Sequence, residues 1–217
     1  MLEKMIYLTG SGVNPKTIPV LSEHHMIGVL TQPATLHKAY VKPFKIWAAD
    51  NGCFTQGDRF VLSNYLRWLG GFSDIAGRCA FATAPDVLSD AEATWARSAP
   101  VFPQLRAIGF KAALVAQNGM EQMAVAWDEF DALFLGGDTE WKLSYHARDL
   151  CREAKSRGKW VHMGRVNSQR RIEIAESFGC DSVDGNYLGF GPDVNIPRLL
   201  GWLNGLHREP MLNLGGL

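Results

Sequence analysis

The stretch WVHMGRVNSQRRIEIAESFGCDSVD, residues 160–184, has the pattern that decides the fold. It opens with a short β-rich run at 160–163 and closes with another at 180–184. The segment between these runs begins near Asn167, a residue type that favours a helix N-cap. A strand, a helix and a second strand in this order indicate one unit of an α/β fold with parallel strands.

The same alternation extends along the chain. β-rich runs recur at eight places: 5–9, 27–30, 45–49, 79–83, 112–117, 132–135, 160–163 and 180–184. Eight such units predict a compact single-domain (β/α)8 TIM barrel over residues 1–217. The second connection has two prolines and little helical periodicity, so a long irregular loop is expected at about 31–44. A doubly wound open sheet is the alternative, but no GxGxxG motif follows the first strand, where a dinucleotide-binding fold would carry it.

Composition excludes several classes of protein. The 217 residues include 22 Lys and Arg against 22 Asp and Glu, so the formal net charge is zero, and 47% are hydrophobic. This content supports a packed core and excludes a disordered chain. No apolar run reaches the roughly 20 residues of a membrane-spanning helix, and the N-terminus lacks a secretory signal. A cytoplasmic protein without membrane contact is therefore expected.

The cysteines give no sign of a metal site. They are scattered at Cys53, Cys79, Cys151 and Cys180, without CxxC or Cys/His spacing. This pattern predicts neither a zinc site nor a disulfide framework, and no cofactor is expected. Because the net charge is zero, any contact with nucleic acid must depend on local charge.

Polar residues follow the predicted strands, where a barrel builds its chemistry. Asp50 and Asp184 are the natural pair of carboxylates for glycosidic chemistry, in which one attacks or stabilises the anomeric carbon and the other moves a proton. Asp86 and Gln117 can read the edge of a purine, because a carboxylate accepts hydrogen bonds and an amide both donates and accepts. The backbone N–H groups of Gly136-Gly137 can approach a ligand closely, since no side chain shields them.

The order of these residues resembles that of the tRNA-guanine transglycosylase superfamily, in particular its short phage and bacterial members that insert 7-deazaguanines into DNA. The similar segments run from Asp50 to Gly185, about two thirds of the chain. They are Asp50-Asn51-Gly52-Cys53-Phe54, Ala84-Pro85-Asp86-Val87, Val115-Ala116-Gln117-Asn118-Gly119, Leu135-Gly136-Gly137, Met163-Gly164 and Gly179-Cys180-Asp181-Ser182-Val183-Asp184.

The resemblance implies roles for these residues. Asp184 corresponds to the family's nucleophile and Asp50 to its catalytic acid/base, while Asp86, Gln117 and Gly136-Gly137 correspond to its base-binding site. The implied reaction exchanges guanine in DNA for a 7-deazaguanine through a covalent intermediate on Asp184. The family's zinc subdomain, with its CxCxxC motif, is absent from the sequence. Neither a zinc site nor the tRNA-binding mode that accompanies it is therefore carried over.

The implied partners are DNA, taken as a single strand or as a nucleotide flipped out of the duplex, and a free 7-deazaguanine base. Five cations from the loops after strands two and seven are expected to contact phosphates: Lys38, Lys42, Arg165, Arg170 and Arg171. Four aromatic residues are candidates for stacking on bases: Tyr40, Phe44, Phe54 and Tyr187. The resemblance to phage members also implies action in the cytoplasm of a bacterial host. The oligomeric state is left open.

Three alternatives remain. A tRNA-guanine transglycosylase-like enzyme would take tRNA in place of DNA. A phosphate-binding TIM-barrel enzyme would act on a small metabolite and use the three glycines of 185–191. A non-catalytic binding module would use the acids only as turn residues. His162, inside the seventh predicted strand, is interpreted as a core histidine.

Overall fold

The computed structural model describes residues 5–10, 12–33, 35 and 37–206. Its centre is a closed barrel of parallel strands, in which each strand pairs with the next along the chain and the last returns to the first. The strands are β1 (Ile6–Thr9), β2 (Ile27–Thr31), β3 (Trp47–Ala49), β4 (Cys79–Thr83), β5 (Ala112–Ala116), β6 (Ala132–Leu135), β7 (Trp160–Met163) and β8 (Ser182–Gly185). The fold is therefore the predicted (β/α)8 TIM barrel.

Helices follow seven of the eight strands in the described part of the chain. They are α1 (Ile18–Glu23), α2 (Lys38–Val41), α3 (Cys53–Gln56), α4 (Leu62–Gly70), α5 (Ala91–Ser98), α6 (Phe102–Ala107), α7 (Thr139–Lys142), α8 (Tyr145–Ser156), α9 (Gln169–Ser177) and α10 (Pro192–Asn204). Among the residues described, none of these helices combines the length and the apolar character needed to cross a membrane.

The connection between β5 and β6 departs from the barrel pattern. All of its residues, 117–131, are described, and they form only two 3-10 turns, Met120–Gln122 and Trp127–Glu129. Trp127 and Phe130 are buried and their rings lie 5.6 Å apart between centroids, while Phe130 also contacts Phe102 of α6. These rings cover the outer face of the barrel where a helix would otherwise pack.

The second connection contains one helical turn where the sequence predicts an irregular loop. Helix α2 begins after His37, whose Nδ1 accepts a hydrogen bond from the Ala39 N–H at 3.3 Å. Val41 and Phe44 are fully buried, so the end of this connection is fixed by the core. Residues 34 and 36, which also belong to the predicted loop, lie outside the described residues.

The barrel encloses a core of its own. Because side chains alternate along a strand, every second residue points toward the barrel axis. The axial side chains form a buried apolar cluster, separate from the larger cluster between strands and helices, and include Leu8, Leu30, Ala48, Phe81, Ala113, Val115, Ala132 and Phe134. Toward the C-terminal ends of the strands the interior becomes polar, and this change of character marks the candidate site.

Candidate active site

A cavity of about 180 Å³ opens at the C-terminal ends of the strands. Its lining residues are Leu30, Asp50, Asn51, Phe54, Asp86, Leu88, Val115, Gln117, Phe134, Gly136, Gly137, Gly164, Arg165 and Asp184. The structure thus brings together the six residues predicted for catalysis and base binding, and one predicted phosphate contact. The lining combines apolar walls with a few polar groups, which is typical of small-molecule sites.

Asp50 directly follows β3 and is held by a tight turn. The N–H of Gly52 donates to its Oδ1 at 2.6 Å, and Gly52 adopts the left-handed region at φ 75°. Burial raises the pKa of Asp50 to about 6, and the nearby charges of Asp86 and Asp184 act in the same direction. Since this exceeds the opposing effect of the Gly52 hydrogen bond, Asp50 can take up and release a proton near neutral pH.

Asp86 lies in a network of amide donors. Its Oδ1 accepts from Asn51 Nδ2 at 3.1 Å, and its Oδ2 accepts from Gln117 Nε2 at 2.8 Å. Asn51 is itself buried and donates to the Ala84 carbonyl oxygen at 2.9 Å. Burial nevertheless raises the pKa of Asp86 above its ordinary value. Each Asp86 oxygen still has a lone pair available for a ligand N–H.

The structure corrects the role predicted for the glycine backbone. The Gly136 N–H donates to the Ala116 carbonyl oxygen at 2.9 Å, and the Gly137 N–H donates to Gln117 Oε1 at 3.0 Å. Both groups are therefore used within the protein in this conformation. Gly136 is needed for packing, since a Cβ atom there would lie 2.6 Å from Val115 Cγ1.

Gln117 organises the loop beside the cavity. Its side chain is buried, and its Oε1 accepts a second hydrogen bond, from the Ser89 N–H at 2.9 Å. Ser89 is a non-glycine residue in the left-handed region, with φ 57°, and Asp90 caps the following helix. The oxygen of Gln117 is thus occupied, while its Nε2 retains one hydrogen beyond the one that Asp86 accepts.

Asp184 lies on β8 and its side chain is 14% exposed. His162 Nε2 is 2.9 Å from its Oδ1, and His162 Nδ1 is 2.8 Å from Ser182 Oγ. His162 is fully buried, as predicted for a core histidine, yet it contacts the predicted nucleophile. Alternation along β8 places Asp181 on the opposite side, where it pairs with Lys155 at 2.6 Å.

An apolar rim borders the cavity. Phe54 is 80% exposed and Leu88 is 53% exposed, although both line the site. Phe54 is therefore the predicted stacking residue that the structure places at the cavity. Phe44 is fully buried, and Tyr187 packs against Trp202 with 4.9 Å between ring centroids.

Three of the predicted phosphate contacts belong to the loop and helix after β7. Arg165 is exposed at the cavity, has a left-handed φ of 62°, and donates from its guanidinium to the Gly137 carbonyl oxygen. Arg171 donates to the Arg165 carbonyl oxygen at 3.2 Å. Arg170 is exposed in the first turn of α9, and it is not among the residues that line the cavity.

The other two predicted contacts do not reach the cavity. Lys38 and Lys42 both pair with Asp74, which lies just before β4 at the N-terminal side of the barrel. Lys38 also donates to the Gly71 carbonyl oxygen at 2.6 Å. The second connection therefore carries these lysines along the side of the barrel, and their predicted position at its mouth is wrong.

Lys142 is a cation that the sequence did not predict as part of the site. It is buried at the end of α7 and donates to the Gly164 carbonyl oxygen at 2.6 Å. Burial lowers its pKa to about 8, and the charge of Arg165 acts in the same direction, whereas Asp184 raises it. Lys142 thus adds positive charge behind the end of β7.

A second depression lies between the loops after β1 and β8. It is lined by Gly10, Gly12, Val13, Asn186, Gly189 and Phe190. It includes part of the glycine segment considered for phosphate, but its described lining holds no Lys or Arg. Throughout the described ranges, His, Cys, Asp and Glu side chains form no group of three that could hold a metal ion.

Comparison with known proteins gives no functional assignment. No protein-family model matches the sequence, and a search of curated proteins finds no match. Among solved structures, the chain is similar to the PaMucR phosphodiesterase in its c-di-GMP complex, with a TM-score of 0.43 and 13% sequence identity. The similarity covers 66% of this chain and 60% of that one.

Proposed function

We propose that this chain is a guanine transglycosylase that exchanges guanine in DNA for a 7-deazaguanine base. The observation that carries the proposal is that Asp50, Asp86 and Asp184 line one small cavity in three different environments. Asp50 has a pKa raised to about 6, Asp86 lies among amide donors, and Asp184 is hydrogen-bonded to a buried histidine. Such differences allow carboxylates in one site to perform different tasks.

The dimensions of the cavity support a planar base as ligand. Its volume of about 180 Å³ is below the roughly 300–1,000 Å³ of sites for drug-sized molecules. Leu30, Val115 and Phe134 supply apolar walls, and Phe54 presents an exposed ring at the opening. An exposed aromatic ring can stack on any base, because every base has a π face.

Base recognition is assigned to Asp86 and Gln117. The free lone pairs of the Asp86 carboxylate suit the two adjacent N–H donors on the Watson–Crick edge of guanine. The remaining Nε2 hydrogen of Gln117 suits an acceptor on the base. Because these side chains already hold each other at 2.8 Å, the site is organised before a ligand arrives.

The proposed chemistry has two balanced halves. An oxygen of the Asp184 carboxylate bonds to C1′ of the nucleotide while the bond from C1′ to guanine breaks, and Asp50 gives the departing base a proton. The incoming 7-deazaguanine then bonds to C1′ through its ring nitrogen, displaces the Asp184 carboxylate and returns a proton to Asp50. Both aspartates end as they began, so no further reactant is required.

Access to the cavity supports a single-stranded or flipped nucleotide, since a base inside a duplex cannot reach a recess of this size. Arg165 is exposed at the cavity, and Arg170 is exposed in the first turn of α9, five residues further along the chain. Both can contact phosphates beside that nucleotide. The resemblance to the short family members that act on DNA favours DNA over tRNA as the polymer.

The test is incorporation of labelled guanine into single-stranded DNA and, separately, into bulk tRNA, followed by a chase with a 7-deazaguanine. We expect label in DNA, its loss during the chase, and a protein–DNA adduct that survives denaturation. Asp184→Asn should abolish all three, whereas the control Asp58→Asn, at an exposed position after α3, should retain them. Label in tRNA alone would favour the tRNA alternative. No label in either polymer, with thermal protection by sugar phosphates, would overturn the proposal in favour of a phosphate-binding enzyme.

A further inference from the structure

A chain of hydrogen-bonded polar side chains stands behind Asp184, and two of its members, His162 and Ser182, are fully buried. Trp160 Nε1 donates to Ser182 Oγ at 2.8 Å, Ser182 Oγ is 2.8 Å from His162 Nδ1, and His162 Nε2 is 2.9 Å from Asp184 Oδ1. His162 and Ser182 are register partners across β7 and β8. The chain therefore follows directly from the pairing of two strands.

The donors and acceptors fix the direction of this chain. The indole of Trp160 only donates, so Ser182 Oγ accepts from it and has one hydrogen to give. If Ser182 donates that hydrogen to His162 Nδ1, then Nδ1 is the unprotonated ring nitrogen. Nε2 then carries the single ring hydrogen and donates it to Asp184. With a hydrogen on Nδ1 instead, the Ser182 hydroxyl hydrogen would have no acceptor among the described residues. The Nε2–H tautomer is the arrangement that gives every group a partner.

Packing holds the imidazole in this orientation. His162 is fully buried, and its ring centroid lies 4.5 Å from that of Phe134 and 5.1 Å from that of Phe81. A rotated ring would leave buried polar groups without partners, which is costly in an apolar surrounding. Across the described part of the chain, Asp184 Oδ2 accepts no hydrogen bond, and it does not belong to the buried side-chain atoms that lack a partner.

We infer that His162 is a positioning residue for Asp184: its Nε2–H holds Oδ1 and leaves Oδ2 as the oxygen that attacks C1′. Ser182 and Trp160 act through His162 by fixing its tautomer. This inference rests on the proposed function. In the first half of the exchange, His162 orients the carboxylate for attack. In the second half, the same N–H stabilises the carboxylate when the incoming base displaces it. His162 exchanges no proton with the substrate.

The kinetic test compares His162→Leu with His162→Gln, whose side-chain Nε2 lies as many bonds from Cβ as that of histidine. Leu should lower kcat on the order of 10- to 100-fold, by analogy with partners that orient metal-bound histidines, with the KM for the free base unchanged. Gln should recover much of the rate. Ser182→Ala should give an intermediate loss.

The matched control is Thr9→Val. Thr9 is buried at the end of β1, beside Gly185 of β8, and its hydroxyl has no hydrogen-bond partner among the residues that the structure describes. This variant has nearly the same shape and should exchange base at the wild-type rate. A loss as large as that of His162→Leu would mean that any change in this layer of the barrel impairs activity, which would overturn the positioning role.

A second measurement does not depend on activity. Nitrogen-15 NMR of the protein with labelled histidine should show that Nε2 of His162 is protonated and that Nδ1 is not. The His162→Gln variant identifies the His162 signals. The Nε2 signal should shift in Asp184→Asn. A hydrogen on Nδ1 would overturn the inference, as would a wild-type rate in a folded His162→Leu. If the wild-type protein exchanges no base with either polymer, the proposed function fails, and the role of His162 fails with it even where the tautomer is as expected.

Discussion

The N–H of Gly52 donates to Oδ1 of Asp50 at 2.6 Å, yet the pKa of Asp50 is still raised to about 6. Burial is the largest cause, and the charges of Asp86 and Asp184 add to it. The turn at Gly52 therefore fixes the direction of the carboxyl group without making it a permanently charged one. Asp50 is suited to carry a proton through a reaction cycle near neutral pH.

The two halves of the proposed exchange should have opposite pH dependence. Guanine departs with a proton from Asp50, so adduct formation needs the protonated form and should slow as the pH rises above about 6. Resolution of the adduct by free base needs the ionised form and should accelerate through the same range. Single-turnover measurements of each half between pH 5 and 8 test this. Parallel profiles would contradict the assignment of both proton transfers to Asp50.

Asp50→Asn should stabilise the fold while it abolishes exchange. The pKa of Asp50 is about 6 in the folded protein against an ordinary value of 3.8, so between these values the folded state binds the additional proton. By linkage, the stability of the wild type falls as the pH rises through that range. The variant lacks this loss and its Oδ1 can keep the Gly52 hydrogen bond. Its advantage should therefore be near zero at pH 3.5 and reach at most about 3 kcal/mol at pH 8.

Urea unfolding at the two pH values measures this advantage, with Asp58→Asn as the exposed control. An advantage that is as large at pH 3.5 as at pH 8 would show that the gain comes from packing and that ionisation of Asp50 has no part in it. A variant that is more stable but inactive is the usual result when a buried, unfavourable charge is removed from a functional site.

Gly164 should not tolerate a side chain. A Cβ atom there would lie 2.8 Å from Phe134 Cε1 and 3.3 Å from Asp184 Oδ1, so the cavity wall and the carboxylate would have to move. Gly164→Ala should lower the free energy of unfolding by about 1–3 kcal/mol through overpacking and reduce exchange more than tenfold.

The matched control is Gly201→Ala. Gly201 lies within α10, and a Cβ atom there would meet nothing within 4 Å. This change should raise the free energy of unfolding by roughly 0.5–1 kcal/mol, because alanine favours the helix, and leave exchange unaltered. Thermal unfolding and the exchange assay, carried out on both variants, test these two predictions. Equal activity in both variants would mean that the wall formed by Phe134 does not shape the reactive site.

The barrel itself was predictable because its strands are buried on both faces. Such strands appear as short continuous apolar runs, which stand out between polar connections. The strands predicted at 79–83, 132–135 and 160–163 coincide with β4, β6 and β7. The connections were harder to predict. The fifth connection, between β5 and β6, has buried aromatic rings where other connections have a helix, and the periodicity of the sequence does not reveal this difference.

Within the candidate site, position could be predicted but hydrogen bonding could not. Strand ends in a barrel meet at one mouth, so Asp50, Asp86 and Asp184 could be grouped from their order alone. Whether the Gly137 N–H is free depends on Gln117, whose side chain crosses from a different strand end. His162 was interpreted as a core residue because a sequence does not show strand register. The signal that could have found it is the inward alternation shared by the seventh and eighth strands.

Arg165 and Lys42 should differ in their effect on DNA binding, although the sequence predicts both as phosphate contacts. Arg165 lies at the cavity, whereas Lys42 is 3.4 Å from Asp74 on the side of the barrel. Arg165→Ala should weaken binding of single-stranded DNA and lower the slope of log K against log salt by about 0.7, the value expected for one phosphate contact. Lys42→Ala should change neither affinity nor slope. Fluorescence anisotropy with a labelled oligonucleotide at several salt concentrations tests both variants. An equal loss in the two would mean that the polymer crosses the side of the barrel as well as its mouth, and a loss in Lys42→Ala alone would exclude binding across the cavity.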